Sequence, residues 1–369
     1  MAKITNLPGA EPRIKKVNVK NLMVQGYDVD NAYPQRIMEL VNASPTAKQA
    51  VAIYAKFMAG EGFANLDFYK LEVNSKGHTA DDLLSRICSD MAPFRGFALH
   101  INWNAAFQVD SVFYVPFENV RKGIEEKAGF YAVHDDWKGK VKKEEIEFHY
   151  PFNPDPEIIQ AQVDAAGGWD NYTGQLFYYS ADYEAYPLAS CDAVIESMQA
   201  EIASDRTTTA NLKNNFSLKT VFVNKGKFDT EDERSQFIDG LKAFVGPDGE
   251  QIMVAECESD ADKPELLAVQ SSLNDKLFEY TDEKVLRKII RHYNQPAILH
   301  SITDGGYFNQ QQLQDAMNYY NGIVRNERLL LERVFTKIFS LFREQVTQDY
   351  SIKALSYFTN GSNTTNNEG

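Results

Sequence analysis

LASCDAVIESMQAEIASDRTTTANLKNN, residues 188–215, follows Pro187 and turns the chain from strand-like alternation to helical spacing. Cys191, Val194 or Ile195, Met198 and Ile202 form a narrow apolar stripe. Beyond it Asp205, Arg206, Thr207, Thr208, Thr209, Asn211, Asn214 and Asn215 make a polar run, poor material for a buried helix. The pattern predicts a helix that stays wet on one side. A second helix is expected over 274–293, with Leu277, Tyr280, Val285, Leu286, Ile289 and Ile290 as an imperfect apolar stripe, ended by Gln295-Pro296. Between the two lies a compact βαββ-like insertion. It comprises strands over 218–223, 251–256 and 266–269, a helix around 231–244, and the breaker Gly246-Pro247-Asp248-Gly249.

Toward the N-terminus, Ala98 to Trp103, Phe107 to Val115, Gly129 to Val133, Glu145 to Tyr150 and Gln175 to Ser180 read as strands, because aromatic and β-branched residues alternate there between turn formers. Three helices precede them. One opens at Tyr33-Pro34, one restarts at Ser44-Pro45-Thr46 and stops at Gly60 and Gly62, and one runs over 79–92 with Thr79 as its cap. The first 25 residues, with Arg13, Lys15, Lys16 and Lys20, read as an extended arm or an edge strand. Toward the C-terminus, the glycine-containing loop 300–308 feeds a long helix expected over 309–346. Its seam, Leu313, Met317, Tyr320, Val324, Leu331, Val334, Ile338 and Leu341, alternates by three and four, skipping only Glu327, and Gly322 marks the expected kink. After Leu329 the stripe broadens with Leu330, Phe335, Phe339 and Phe342, so the second half should be buried more deeply. The tail beyond Thr359 is rich in Asn, Gly, Ser and Thr and is expected to be disordered. The fold class is α+β.

A chain of 369 residues with 43% hydrophobic residues can bury more than one core, and its mean hydropathy of −0.42 fits no apolar run long enough to span a bilayer. The N-terminus lacks the apolar core of a secretory signal, so folding in a cytoplasm is expected. A formal charge of −14 argues against binding nucleic acid through a broad basic surface. It does not exclude a protein that lets DNA slide past. Cys88, Cys191 and Cys257 lie too far apart for a zinc or redox motif and read as small buried hydrophobes. No phosphate-binding loop or dinucleotide fingerprint is present, since Gly60-Glu61-Gly62 follows a helix instead of opening one. His134-Asp135-Asp136 reads as a solvated turn, and the acids Glu256, Glu258, Asp260 and Asp262 as a surface loop. His100, His149, His292 and His300 are scattered without a serine or cysteine elbow and read as structural. No catalytic residue, cofactor or metal site is expected.

The ordered set of local patterns over residues 30–346 resembles the portal proteins of tailed bacteriophages or prophages. The residues that carry it are Tyr33-Pro34-Gln35-Arg36, Ser44-Pro45-Thr46-Ala47, Met58-Ala59-Gly60-Glu61-Gly62-Phe63, Tyr114-Val115-Pro116 with Val120-Arg121, and Tyr186-Pro187-Leu188. Asn211, Asn214, Asn215 and Phe216 follow, then Gln295-Pro296-Ala297-Ile298-Leu299 and Asn309-Gln310-Gln311-Gln312-Leu313. The resemblance implies a wing over 1–187 with an N-terminal arm to about 30, stem helices over 188–216 and 271–294, and a small α/β clip over 217–270. It further implies a tunnel loop over 295–309, a long kinked tunnel helix over 310–350, a C-terminal tail over 351–369, and a crown that is absent or minimal.

By the same resemblance, Thr303, Asp304, Gly305, Gly306, Tyr307, Asn309 and Gln310 are DNA-facing loop residues. Arg206, Thr209 and Lys213 line the stem channel, and Lys225, Lys227, Asp229 and Glu231 lie on the clip surface that docks terminase. The implied function is a non-enzymatic ring of twelve copies at one capsid vertex of the virion, assembled in a bacterial cytoplasm. It serves as the channel for packaging and ejecting double-stranded DNA, which passes non-specifically. The large terminase subunit, a major capsid or scaffold protein and a head-tail adaptor are the implied partners, with no membrane. Two rivals are another phage head or adaptor protein, which would lack an insertion between two long helices, and a metal-dependent nuclease using the 256–262 acids.

Overall fold

Phe97, Leu99 and Ile101 alternate with Ala98, His100 and Asn102, and this period of two makes a strand that is paired on both sides in an eight-stranded sheet. The computed structural model describes residues 14–182, 186–213, 220–223, 230–232, 234–236, 265–268, 275–302, 310–344 and 346–356. The chain divides into two units, Met1–Ile195 with Ile289–Gly369, and Glu196–Lys288. In the first unit the strands are β1 (Lys16–Val19), β2 (Val24–Tyr27), β3 (Gly96–Trp103), β4 (Val109–Val115), β5 (Val120–Gly123), β6 (Tyr131–Val133), β7 (Glu147–Pro151) and β8 (Gln175–Ser180). They form one sheet in the order β1-β2-β5-β6-β7-β8-β3-β4. All neighbours are antiparallel except β7 and β8. The α+β class holds.

The helices of this unit begin where capping chemistry allows. Helix α1 (Tyr33–Ala43) carries Pro34 in its first turn, and α2 (Pro45–Ala59) starts at Ser44, whose hydroxyl accepts the Ala47 N–H at 3.2 Å. Gly60 ends α2 at φ 59°, and a Cβ there would stand 1.9 Å from the Lys353 carbonyl oxygen, so only glycine fits. A single helical turn, α3 (Leu66–Tyr69), precedes α4 (Ala80–Phe94). In α4 the Thr79 hydroxyl accepts the Asp82 N–H at 3.1 Å and the Asp82 carboxylate accepts the Thr79 N–H at 2.9 Å, a reciprocal cap. Leu83, Leu84, Ile87 and Met91 are buried, as their spacing predicted.

Besides the short α3, three elements escaped the sequence reading. Strands β2 and β5 are short, and β5 carries the charged Arg121 inside the fold, so neither shows a clean alternation. Helix α5 (Pro156–Ala166) does carry signals: Asp155 accepts the Glu157 N–H at 2.9 Å, Pro156 occupies the first turn, and Gly167 ends the helix at φ 84°. The strand expected from Phe107 begins instead at Val109. Asn104 accepts the Ala106 and Gln108 N–H groups and holds residues 104–108 as a turn, with Phe107 at φ 58°.

In the second unit, α6 (Ile195–Lys213) and α7 (Asp275–His292) cross its boundaries at Ile195 and Ile289, and β9 (Thr220–Val223) pairs antiparallel with β10 (Glu265–Ala268). Residues 231–232 and 234–236 are helical. The strand expected over 251–256 lies outside the described residues.

The long kinked helix expected over 309–346 is two helices, α8 (Gln310–Ile323) and α9 (Arg325–Phe339), interrupted at Val324. Its second half is the more deeply buried, with Leu331, Val334, Phe335, Ile338 and Phe339 inside. Past α9 the chain turns, and Val109 and Leu341 to Arg343 exchange backbone bonds at 2.8 and 2.9 Å along the β4 edge. Part of the expected tail is ordered structure. The Glu61, Ala64 and Lys353 N–H groups bond the Lys353, Ser351 and Gly62 carbonyls, so residues 351–353 form a strap over residues 61–64.

Asp90 of α4 is 7% exposed, and its carboxylate accepts the Phe117 N–H at 2.9 Å. Burial pushes its pKa up to about 7, against the pull of that bond and of the Tyr114 hydroxyl. A folded-state pKa above the unfolded value gives stability that is complete below about pH 4 and is lost as pH rises through 7. Asp90→Asn keeps an acceptor for Phe117 and removes the charge. Its melting temperature is expected to exceed the parent's at pH 8 and to approach it at pH 4; equal gains at both pH values would contradict this account.

Candidate functional site

The expected DNA-facing loop residues Thr303, Asp304, Gly305, Gly306, Tyr307 and Asn309 lie outside the described residues, and Gln310 is exposed at the start of α8. What is described is how both flanks of that stretch are held. Gln295, 5% exposed, donates through Nε2 to the Ala50 carbonyl of α2 at 2.8 Å and to the Tyr320 hydroxyl of α8 at 2.9 Å. Its Oε1 accepts from His300 Nε2 at 2.6 Å, in the 3-10 turn Ala297–His300. One amide thus ties the segment entering residues 303–309 and the helix leaving them to a common base. Because Oε1 can only accept, His300 carries its proton on Nε2. Its buried Nδ1 has no partner, and burial lowers the pKa of the ring.

The amide saturates three polar groups in an apolar setting, and leaving each unpaired costs roughly 1–3 kcal/mol. Gln295→Leu is therefore expected to destabilise the first unit by about 2–4 kcal/mol. Hydrogen exchange should rise at 297–302 and 316–320 before it rises in β3. Uniform loss of protection across the unit would argue that the amide is only one core contact among many.

The Val324 interruption sits beside a second buried polar group. Arg328, 7% exposed, donates from one terminal nitrogen to the Phe57 carbonyl and to Asn321 Oδ1, each at 2.9 Å, and from the other to the Asn321 carbonyl at 2.7 Å. That carbonyl would serve the Arg325 N–H in an unbroken helix, so the guanidinium satisfies the group that the break frees. Tyr54 donates to Glu327 at 3.0 Å on the same side of α2. Gly322, two residues before the interruption, is exposed, and a side chain there would meet nothing within 4 Å. Packing around Arg328 and Asn321 accounts for the position of the break, and glycine is not required for it.

In α6, Asp205, Arg206, Thr207, Thr208 and Thr209 are all exposed. Five consecutive helical residues sweep more than a full turn, so no face of this stretch is covered by its own chain. Thr207 bonds back to the Ala203 carbonyl at 2.8 Å. Lys213 is the last residue of the helix, and its side chain lies outside the described residues, as do Lys225, Lys227 and Asp229. Glu231 is exposed and pairs with Arg234 at 2.9 Å.

His134, Asp135 and Asp136 form a turn in which Asp136 accepts the Lys138 and Gly139 N–H groups and Asp135 accepts from Asn119. Among the described residues, no three His, Cys, Asp or Glu side chains converge as a metal shell, and no helix is long and apolar enough to cross a membrane. Cys88 and Cys191 are buried and free; Cys257 and the 256–262 acids lie outside the described residues. The histidines are less scattered than their spacing indicated. His100 on β3 and His149 on β7 face each other with ring centroids 4.8 Å apart. Nothing in a separation of 49 residues announced that meeting.

No family model and no curated protein matches the chain. Solved structures similar to it include a chain from the neck of a native gene transfer agent particle computed with C12 symmetry, at 14% identity and TM-score 0.47, covering 82% of this chain and 79% of that one. A chain from the virion of a native gene transfer agent particle is similar at 12% identity and TM-score 0.45, over 86% and 92%. A HK97-family phage portal protein from Corynebacterium diphtheriae is similar at 11% identity and TM-score 0.45, over 77% and 85%.

Proposed function

We propose that this chain is a portal-type structural subunit that closes with copies of itself into a ring of twelve at one vertex of a phage capsid. The ring serves as the channel for double-stranded DNA and as the docking site for the large terminase subunit and the head-tail connector. The observation that carries the reading is the α6 stretch 205–209, helical yet uncovered on every side by its own chain. A helix polar all round is unstable alone and gains stability between neighbours that cover its flanks while one face stays wet. The ordered motifs that resemble the portal family, from Tyr33-Pro34 to the Gln311-Gln312-Leu313 segment, support the same reading. On it, residues 1–187 are wing, α6 and α7 are stem, 217–270 is clip, and the segment held by Gln295 is the tunnel loop with Gln310 at its end.

Twelve copies carry a formal charge of −168, a wall that repels phosphates and limits sticking. Arg206, Thr209 and Lys213 are then the channel-facing positions of the stem, and Glu231 with Lys225, Lys227 and Asp229 belongs to the terminase-facing surface. ATP hydrolysis is left to the terminase. Light scattering on the purified chain tests the assembly: a species near 500 kDa is expected from 41.8 kDa subunits. A monomer across salt and concentration would overturn the reading.

A further inference from the structure

The eight-stranded sheet has a weak seam. Strands β3 and β8 are registered over six residue pairs, whereas β7 and β8 are registered over two, Tyr150 with Gln175 and Pro151 with Leu176. Pro151 has no N–H to give. Beyond the ladder the seam is held by the Phe152 N–H on the Leu176 carbonyl at 3.0 Å and the Asn153 N–H on Gln175 Oε1 at 2.8 Å. This seam joins the five strands β1-β2-β5-β6-β7 to the three strands β8-β3-β4.

At the mouth of the seam is a cavity of about 430 Å³ lined by His100, Asn102, Glu147, Phe148, His149 and Thr173. His100 comes from the three-stranded side and His149 from the five-stranded side. His100 donates through Nε2 to the Thr173 carbonyl at 2.6 Å, which fixes its tautomer, and His149 meets it from across the seam with ring centroids 4.8 Å apart. The His149 Nδ1 is buried without a partner. Gly174 makes the convergence possible: at φ 74°, a Cβ there would lie 3.0 Å from His100 Nε2 and 2.7 Å from Asn102 Oδ1.

We propose that His100 and His149 form an acid-released latch across the β7–β8 seam, closed when both imidazoles are neutral and opened when they take up protons. Two neutral rings can pack against each other across the seam, but two imidazolium charges with ring centroids 4.8 Å apart repel. The titratable and charged groups around the pair are few. Glu147 stands 3.6 Å from His149 Nε2 and favours the charged ring, although its side chain is 78% exposed and solvent screens it. Tyr131 lies opposite His149 on β6 and stays neutral, its pKa raised by burial. Phe113 lies beside His100 on β4, with the Lys76 ammonium over its ring at 5.9 Å, another positive charge on that side. Next to Thr173, the Tyr172 hydroxyl is engaged by Gln162.

Burial is the leading influence on both rings and lowers both pKa values; for His149 the neighbouring His100 adds to it. The opened state therefore binds protons more readily, and closure weakens as pH falls below about 6.5, the ordinary histidine value.

Hydrogen exchange of the full chain tests the latch. Corrected for intrinsic rates, protection at 152–153 and 175–177 is expected to drop at least about tenfold between pH 8 and pH 5, while protection in β4 holds. The double variant His100→Gln and His149→Gln puts a neutral amide in place of each titrating ring, and its seam protection should be flat with pH. A flat profile in the parent, or an equal drop in the double variant, overturns the proposal. Should the double variant not fold, imidazole titration of the parent by NMR decides: both pKa values below 6.5 support the latch, and either at or above it refutes it.

Discussion

Arg121→Ala is expected to lower the melting temperature of the first unit by on the order of 10 °C, a loss of roughly 3–5 kcal/mol. The Arg121 side chain is fully buried. Its guanidinium donates to Asn31 Oδ1 at 2.5 Å and to the Asn31, Glu118 and Val120 carbonyls at 2.8 Å, and it lies 5.6 Å from the Tyr27 ring centroid and 5.1 Å from that of Trp137. Carbonyl dipoles and aromatic faces take the place of a carboxylate around the charge, and burial lowers its pKa below the ordinary arginine value. Truncation takes a donor from each of these acceptors, although Asn31 Oδ1 keeps the Tyr27 N–H and the Glu118 carbonyl keeps Gln35, and it opens a cavity beneath β2 and β5. Arg121→Lys is expected to fail as a rescue, since one ammonium cannot reproduce the planar fork. Denaturant unfolding followed by Trp137 fluorescence measures both variants. A loss under about 1 kcal/mol for alanine would mean that water replaces the guanidinium at little cost.

Phe68→Ala is expected to cost about 3–5 kcal/mol, the usual range for emptying a buried aromatic site. Phe68 is fully buried, with ring centroids at 4.7 Å from Phe63, 4.8 Å from Tyr350, 5.1 Å from Phe339 and 6.1 Å from Phe335. These rings come from the α2–α3 connection, from α9 and from the strap, so a single truncation loosens three segments at once. Hydrogen exchange should show the strap amides of Ile352 and Lys353 losing protection first, because the strap is held by few backbone bonds besides Tyr350. Unchanged strap protection at the same overall stability loss would show that the strap is anchored by Glu332 and Glu61 instead, which accept from the Ile352 and Ser356 N–H groups.

The elements legible in the sequence are those whose signals are local. The alternation of Gln175 to Ser180 predicted β8 with the same bounds, and Thr79 marked the start of α4. Strand β5 was illegible because its Arg121 reads as surface in any pattern of polarity, and only the ring of aromatic residues and carbonyls around it makes that burial tolerable. Gln295 was read as a helix stop because it precedes proline. Its role in joining α2, α8 and His300 depends on contacts across 245 and 25 residues, which no local pattern carries. The interruption of the long helix falls at Val324, two residues past the Gly322 read as its kink, and the buried Arg328 that holds the freed Asn321 carbonyl is equally invisible to a local pattern.

The portal reading stands or falls on closure of identical subunits around a duplex-sized hole. Negative-stain images of the purified chain, averaged without imposed symmetry, measure that directly. Ring-shaped end views with a central channel wide enough for double-stranded DNA are the predicted result; isolated globules or closed dimers under every condition would contradict it.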